Sequence, residues 1–133
     1  MQTTVTVRDA TTLGLASPEL VFVVSVPTEH ITVRELIRAR VQQEVDEHNS
    51  RQPEYFRGLV QPSGAEATLN GFRLPKRRQI DWKQQFEKAI EAFQRNGFIV
   101  LVDDRQVAEL DEFIEITSDT SVTFLKLVPL VGG

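Results

Sequence analysis

The sequence predicts an α+β domain in which a mixed sheet packs against a helix, with a long insertion carrying a second helix. Three observations predict it. Two segments rich in β-branched residues, Thr3 to Arg8 and Leu20 to Val26, stand at the start of the chain. A capping signal at Thr32 opens an amphipathic stripe, and two further strand-like runs, Phe98 to Val102 and Val122 to Val128, stand near the end. With 133 residues and 41% hydrophobic content, the chain has the length of one domain and too much apolar material for a disordered one.

Thr3 to Arg8 alternates small polar with β-branched residues, the pattern of a strand that exposes one face. A loop through Leu13-Gly14 to Ser17-Pro18 breaks it, and Leu20 to Val26, ending at Pro27, is expected to return as its antiparallel partner. Thr32-Val33-Arg34-Glu35 fits a capping box, and Val33, Leu36, Ile37, Val41 and Val45 follow at helical spacing, with Arg34, Arg38, Gln42 and Glu44 around them. This predicts a helix from about Val33 to His48.

Between Asn49 and Ile80 periodicity is lost among recurring prolines and glycines, so an irregular segment is expected, anchored by Tyr55, Phe56, Leu59, Leu69, Phe72 and Leu74. Asp81 offers an N-cap for a second helix, with Trp82, Phe86, Ala89, Ile90 and Phe93 as its apolar stripe and Asn96-Gly97 as its stop. Residues 49–97 thus form an insertion within a single domain spanning 1–133. Phe98 to Val102 reads as a strand, Asp103-Asp104 as a turn and Arg105-Gln106-Val107 as a short return strand; Leu110, Phe113 and Ile116 read as a helical or turn segment. In the last strand Leu125 and Leu127 face one way, and Phe124, Lys126 and Val128 the other. One core is expected to gather Val5, Val23, Leu36, Val100 and Leu125.

The absence of cysteine excludes disulfides, thiolate metal sites, a cysteine nucleophile and a thioester on this chain. With 15 Lys and Arg against 19 Asp and Glu, the charge balance does not suit a nucleic-acid binder. No apolar run is long enough to span a bilayer, and Met1-Gln2-Thr3-Thr4 does not read as a signal peptide, so a cytoplasmic protein without a membrane partner is expected. His30 and His48 are too few and too far apart for a metal or catalytic constellation, and no phosphate loop, nucleophile elbow or carboxylate pair stands out.

A hairpin, a helix across it and returning strands, followed by Leu130-Val131-Gly132-Gly133, resembles the ubiquitin-like β-grasp modifiers. Val100 to Val107 is similar to ubiquitin's third strand and the turn into its fourth, and Val122 to Gly133 is similar to its last strand and tail. Residues 49–97 have no counterpart there. The chain is most like divergent bacterial ubiquitin-like proteins encoded beside activating and conjugating enzymes, systems associated with antiviral defence.

The resemblance implies that this chain is a substrate rather than an enzyme. The carboxylate of Gly133 would be adenylated by an activating enzyme using ATP, passed as a thioester to a partner's cysteine and conjugated to amines of target proteins, with a JAB-type peptidase as the reversing partner. No cofactor belongs to the chain itself. Gly132 and Gly133, lacking Cβ, let the backbone thread a narrow channel, and Pro129, Leu130 and Val131 would be the part the activating enzyme reads. That stretch lacks the arginine of ubiquitin's tail and is closer to those of sulfur carriers of the same fold, which end in a thiocarboxylate. A sulfur carrier and a non-covalent β-grasp interaction module are therefore the alternative readings.

The resemblance also implies a partner-docking patch of Leu101, Phe124 and Val128 on the sheet, the alternative being that the insertion buries them. Lys76, Lys83, Lys88 and Lys126 read as solvated side chains, as does the run Lys76-Arg77-Arg78; Arg105 stands where ubiquitin has a chain-forming lysine.

Overall fold

The computed structural model describes residues 3–11, 20–51, 55–56, 58–68, 71–74 and 79–127. Strands β1 (Thr3–Thr11) and β2 (Leu20–Val26) pair antiparallel, as their β-branched composition predicts, with Val5 opposite Val24 and Val7 opposite Phe22. The loop expected between them lies outside the described residues. A short strand β3 (His30–Thr32) leads into helix α1 (Val33–Arg51). The capping box forms: the Glu35 amide donates to the Thr32 hydroxyl at 3.1 Å, and the Glu35 carboxylate accepts from the Thr32 amide at 3.2 Å.

The expected irregular stretch is more ordered than its sequence suggests. It holds β4 (Tyr55–Phe56), β5 (Glu66–Thr68) and β6 (Gly71–Arg73), arranged in the order β4-β6-β5. These strands are too short to show a periodicity of their own. Phe56, Leu59, Leu74 and Ile80 join the core, Tyr55 and Phe72 are half-buried, and Leu69 lies outside the described residues. Asn49 clamps the far end of the stretch, its side-chain amide donating to the Ile80 carbonyl at 2.9 Å and accepting from the Ile80 amide at 2.7 Å. Helix α2 (Trp82–Gln94) then starts at the N-cap Asp81, whose carboxylate accepts from the Lys83 amide, and stops where Asn96 turns to φ 60°.

Four strands complete the chain: β7 (Phe98–Val102), β8 (Arg105–Val107), β9 (Phe113–Glu115) and β10 (Ser121–Lys126). The main sheet has the order β2-β1-β10-β7-β8; β1 and β10 run parallel at its centre, and all its other pairs are antiparallel. Asp103 and Asp104 make the β7–β8 turn with φ of 50° and 68°, a left-handed pair that Asp tolerates better than bulky residues. The helical or turn segment expected around Leu110, Phe113 and Ile116 is a turn at Leu110 and Asp111 and a strand beyond it. Phe113–Glu115 pairs with β3, setting Ile114 against Ile31 in the core and leaving Phe113 outside, stacked on His30 at 4.6 Å.

Both helices pack on one face of the main sheet. Val5, Val7, Val24, Val26, Val100, Val102, Val122 and Phe124 point into that layer and meet Leu36, Ile37, Val41 and Val45 of α1 and Phe93 of α2. Two members of the expected core are placed differently. Val23 is 53% exposed, because Val24 and Val26 take the inward positions of a run with no alternation to mark its face. Leu125 is half-buried on the opposite face, since Val122 and Phe124 fill the inner one. The outer edge of β2 is covered in part by Gln43, whose amide donates to the Val23 carbonyl at 2.6 Å and accepts from the Ser25 amide at 3.2 Å.

Candidate functional site

The parallel strands β1 and β10 end together, and β10 leads into the C-terminal segment. At that end the inward positions are charged. Asp9 continues the inward series of Val5 and Val7, Lys126 continues that of Val122 and Phe124, and Arg40 and Glu44 occupy the core-facing stripe of α1. Arg40, 1% exposed, holds Asp9 through both guanidinium ends, Nη1–Oδ1 at 2.5 Å and Nη2–Oδ2 at 2.7 Å, and its Nε donates to Glu44 Oε2 at 3.2 Å. Its guanidinium lies between the rings of Phe22 and Phe124, 5.1 and 4.5 Å from their centroids. Two acids and two bases balance to zero, which permits charges to sit in this layer.

The network reaches the insertion as well as the sheet. Glu44 Oε1 accepts from the Leu59 amide at 3.1 Å, and Lys126 Nζ donates to the Gly58 carbonyl at 3.0 Å. A Cβ at Gly58 would lie 2.1 Å from the Phe56 ring, so a larger residue there would displace that buried ring. The Leu127 amide donates to the Gly97 carbonyl at 3.1 Å, at the other end of the insertion.

Burial sets the protonation energetics. It lifts the Glu44 carboxyl above its ordinary value, with Arg40 and the Leu59 amide only partly offsetting it. It lowers the Lys126 ammonium, a shift that Asp9 opposes, Arg40 reinforces and Glu44 opposes. Arg40 also suffers desolvation, yet Glu44 and Asp9 hold it above its ordinary value. Because the folded-state pKa of Glu44 lies above its ordinary 4.5, the stability it contributes is complete below that pH and lost as the pH rises through the folded value. Glu44→Gln, which does not titrate, is therefore expected to gain stability relative to the wild-type protein as the pH is raised from about 4 to about 7. Urea unfolding of both proteins at the two pH values checks this; a difference moving the other way would show that the ionised carboxylate is favoured.

The predicted docking patch is not brought together. Phe124 is fully buried, opposite Val100, whereas Leu101 is half-buried on the other face opposite Thr123; Val128 lies outside the described residues. The face away from the helices instead sets Leu101 beside Ile99 and Leu125, all half-buried, with Val21 and Val23 exposed beyond β1. Pro129, Leu130, Val131, Gly132 and Gly133 also lie outside the described residues.

Lys126 is not the solvated lysine expected, since it ties the network to Gly58, and Lys88 is held by Ser63 at 2.7 Å. Lys83 is exposed, and Lys76-Arg77-Arg78 lies outside the described residues. Arg105 pairs with Glu112 at 3.0 Å, and His48 is buried edge-on to Phe56 at 5.2 Å. Among the described residues no group of three or more His, Asp or Glu side chains is placed to hold a metal ion, and no helix is long and apolar enough to cross a membrane.

Sequence reasoning missed Arg40, although its signal was present. Positions 33, 36, 37, 40, 41, 44, 45 and 48 form one continuous stripe, so Arg40, Glu44 and His48 stand at core positions. Comparison with protein-family models, curated proteins and solved structures finds no match to the chain.

Proposed function

We propose that the chain is a protein modifier of ubiquitin-like β-grasp fold, activated at Gly133 and conjugated by partner enzymes. The observation that carries this reading is the central pairing of β1 with β10. The first strand of an N-terminal hairpin lies parallel to the last strand, a helix crosses one face, and Gly132-Gly133 follow the last strand in the sequence.

In the proposed reaction a carboxylate oxygen of Gly133 attacks the α-phosphate of ATP and expels pyrophosphate. A thiolate of the partner then displaces AMP, and a target amine displaces the thiolate to leave an amide. Catalysis and the ATP site belong to the activating and conjugating enzymes, and a JAB-type peptidase would reverse the bond. Ile99, Leu101 and Leu125 offer these partners an apolar docking face on the sheet in a cytoplasmic setting. The apolar stretch Leu127 to Val131 favours the sulfur carrier as second reading.

ATP–pyrophosphate exchange with a candidate activating enzyme tests the first step. Exchange is expected with the full chain and is expected to vanish when Gly132 and Gly133 are deleted. Exchange that survives the deletion would remove Gly133 from the reaction.

A further inference from the structure

Strand β2 ends the main sheet, and among the described residues no strand pairs with its outer side. One side chain meets its hydrogen-bonding groups there instead. The Gln43 carboxamide donates to the Val23 carbonyl at 2.6 Å and accepts from the Ser25 amide at 3.2 Å. In a parallel ladder a single residue makes this same pair of bonds, donating to the carbonyl one place before its neighbour and accepting from the amide one place after. Gln43 thus holds, from α1, the position of a further strand. Edge strands are commonly blunted by charge or proline, yet Leu20–Val26 contains neither, and Val21 and Val23 are each more than half exposed.

Between this edge and α1 lies an open groove of about 1100 Å³. Its α1 wall is acidic: Glu35, Asp46 and Glu47 line it and are exposed, while Arg38, which also lines it, is drawn over the Trp82 ring at 5.3 Å. Side chains of an added strand alternate between two faces. One set would lie beside Val21 and Val23, away from the helices, and the other over the acidic wall. We infer that β2 is a strand-addition site for an extended segment of a partner protein in which apolar and basic residues alternate, with Gln43 as a placeholder that the segment displaces. A second copy of this chain is a poor occupant. Antiparallel pairing of two copies through β2 would set their acidic walls side by side, and each chain carries a net charge of -4. The site uses no residue of the C-terminal segment, so it holds whether or not Gly133 is conjugated.

Two measurements on the full chain test it. The first is amide hydrogen exchange in the wild-type protein and in Gln43→Ala, each alone and with a synthetic heptapeptide of alternating valine and lysine. In the free variant the Ser25 amide is expected to exchange about tenfold faster than in wild type, the size of one lost hydrogen bond. The peptide should restore that protection, with Val7 and Val100 unchanged. Unaltered exchange at Ser25 in the free variant would overturn the placeholder role of Gln43. A Ser25 amide that stays unprotected in the presence of the peptide would overturn strand addition.

The second is titration of the same peptide into isotopically labelled protein, followed through the backbone amide resonances. Val21, Val23 and Ser25 are expected to shift together. Gln43→Ala should bind about threefold more tightly, because no placeholder has to be displaced. Asp46→Asn combined with Glu47→Gln should bind about tenfold more weakly, as should a peptide with glutamate in place of lysine. A glutamate peptide that binds as well as the lysine one, or a double variant that binds like wild type, would overturn the basic partner. The absence of any shift at about 1 mM peptide would overturn the site itself. Shifts at Ser25 that grow with protein concentration alone would assign the edge to a second copy of the chain and contradict the inference.

Discussion

Replacing Arg40 by methionine is expected to lower the free energy of unfolding by about 3–5 kcal/mol. The guanidinium is fully enclosed, supplies both hydrogen bonds to Asp9 and one to Glu44, and fills the space between Phe22 and Phe124. Methionine has the length to occupy much of that space, so the loss comes mainly from two carboxylates left without their cation. A domain of this size has roughly 5–15 kcal/mol to lose, and the variant would unfold at a much lower urea concentration. Adding Asp9→Asn to Arg40→Met should recover part of the loss, because it removes one of the stranded charges. Additive effects of the two changes would show that the pair is not coupled.

Phe124→Ala is expected to cost a similar amount, about 3–5 kcal/mol, the usual range for a buried phenylalanine. Phe124 is 0% exposed, touches Phe98 with centroids 6.0 Å apart, and forms one wall of the Arg40 site. Leu101→Ala, half-buried on the opposite face, is expected to cost about 1 kcal/mol or less. The contrast separates a core residue from an outer-face residue on neighbouring strands. Equal losses, measured by urea unfolding, would mean that the outer face is covered as thoroughly as the inner one.

These two sites also show where the sequence could be read and where it could not. The capping box at Thr32 and Glu35, the N-cap at Asp81, the Asp103-Asp104 turn and the antiparallel start of the sheet were legible because local chemistry fixes them. The inward face of β10 was not. Its series Val122, Phe124 and Lys126 ends on a charge, which reads as an outward face until Asp9, Arg40 and Glu44 are seen to close around it. A balanced buried network of this kind defeats a hydrophobic pattern, because its members are tolerable only together and come from β1, α1 and β10. The same holds for Phe113–Glu115, which reads as part of a helical or turn segment until β3 arrives as a pairing partner.

The candidate site was half legible. The approach of β10 to its end could be placed from sequence, but its ties to Gly58 and Gly97 join residues 68 positions apart in one case and depend on how the insertion folds back in both. No period or motif encodes such a contact. What the sequence did carry was the dipeptide Gly132-Gly133 itself, on which the proposed chemistry depends.

The most direct test of that chemistry is mass spectrometry of the amino-terminally tagged chain recovered from its host. The account predicts higher-mass species in which Gly133 is joined by an isopeptide bond to a lysine of another protein, absent from a strain whose chain lacks Gly132 and Gly133. Recovery of all the protein without an isopeptide bond at Gly133, whether as the free carboxylate or as a thiocarboxylate, would contradict it.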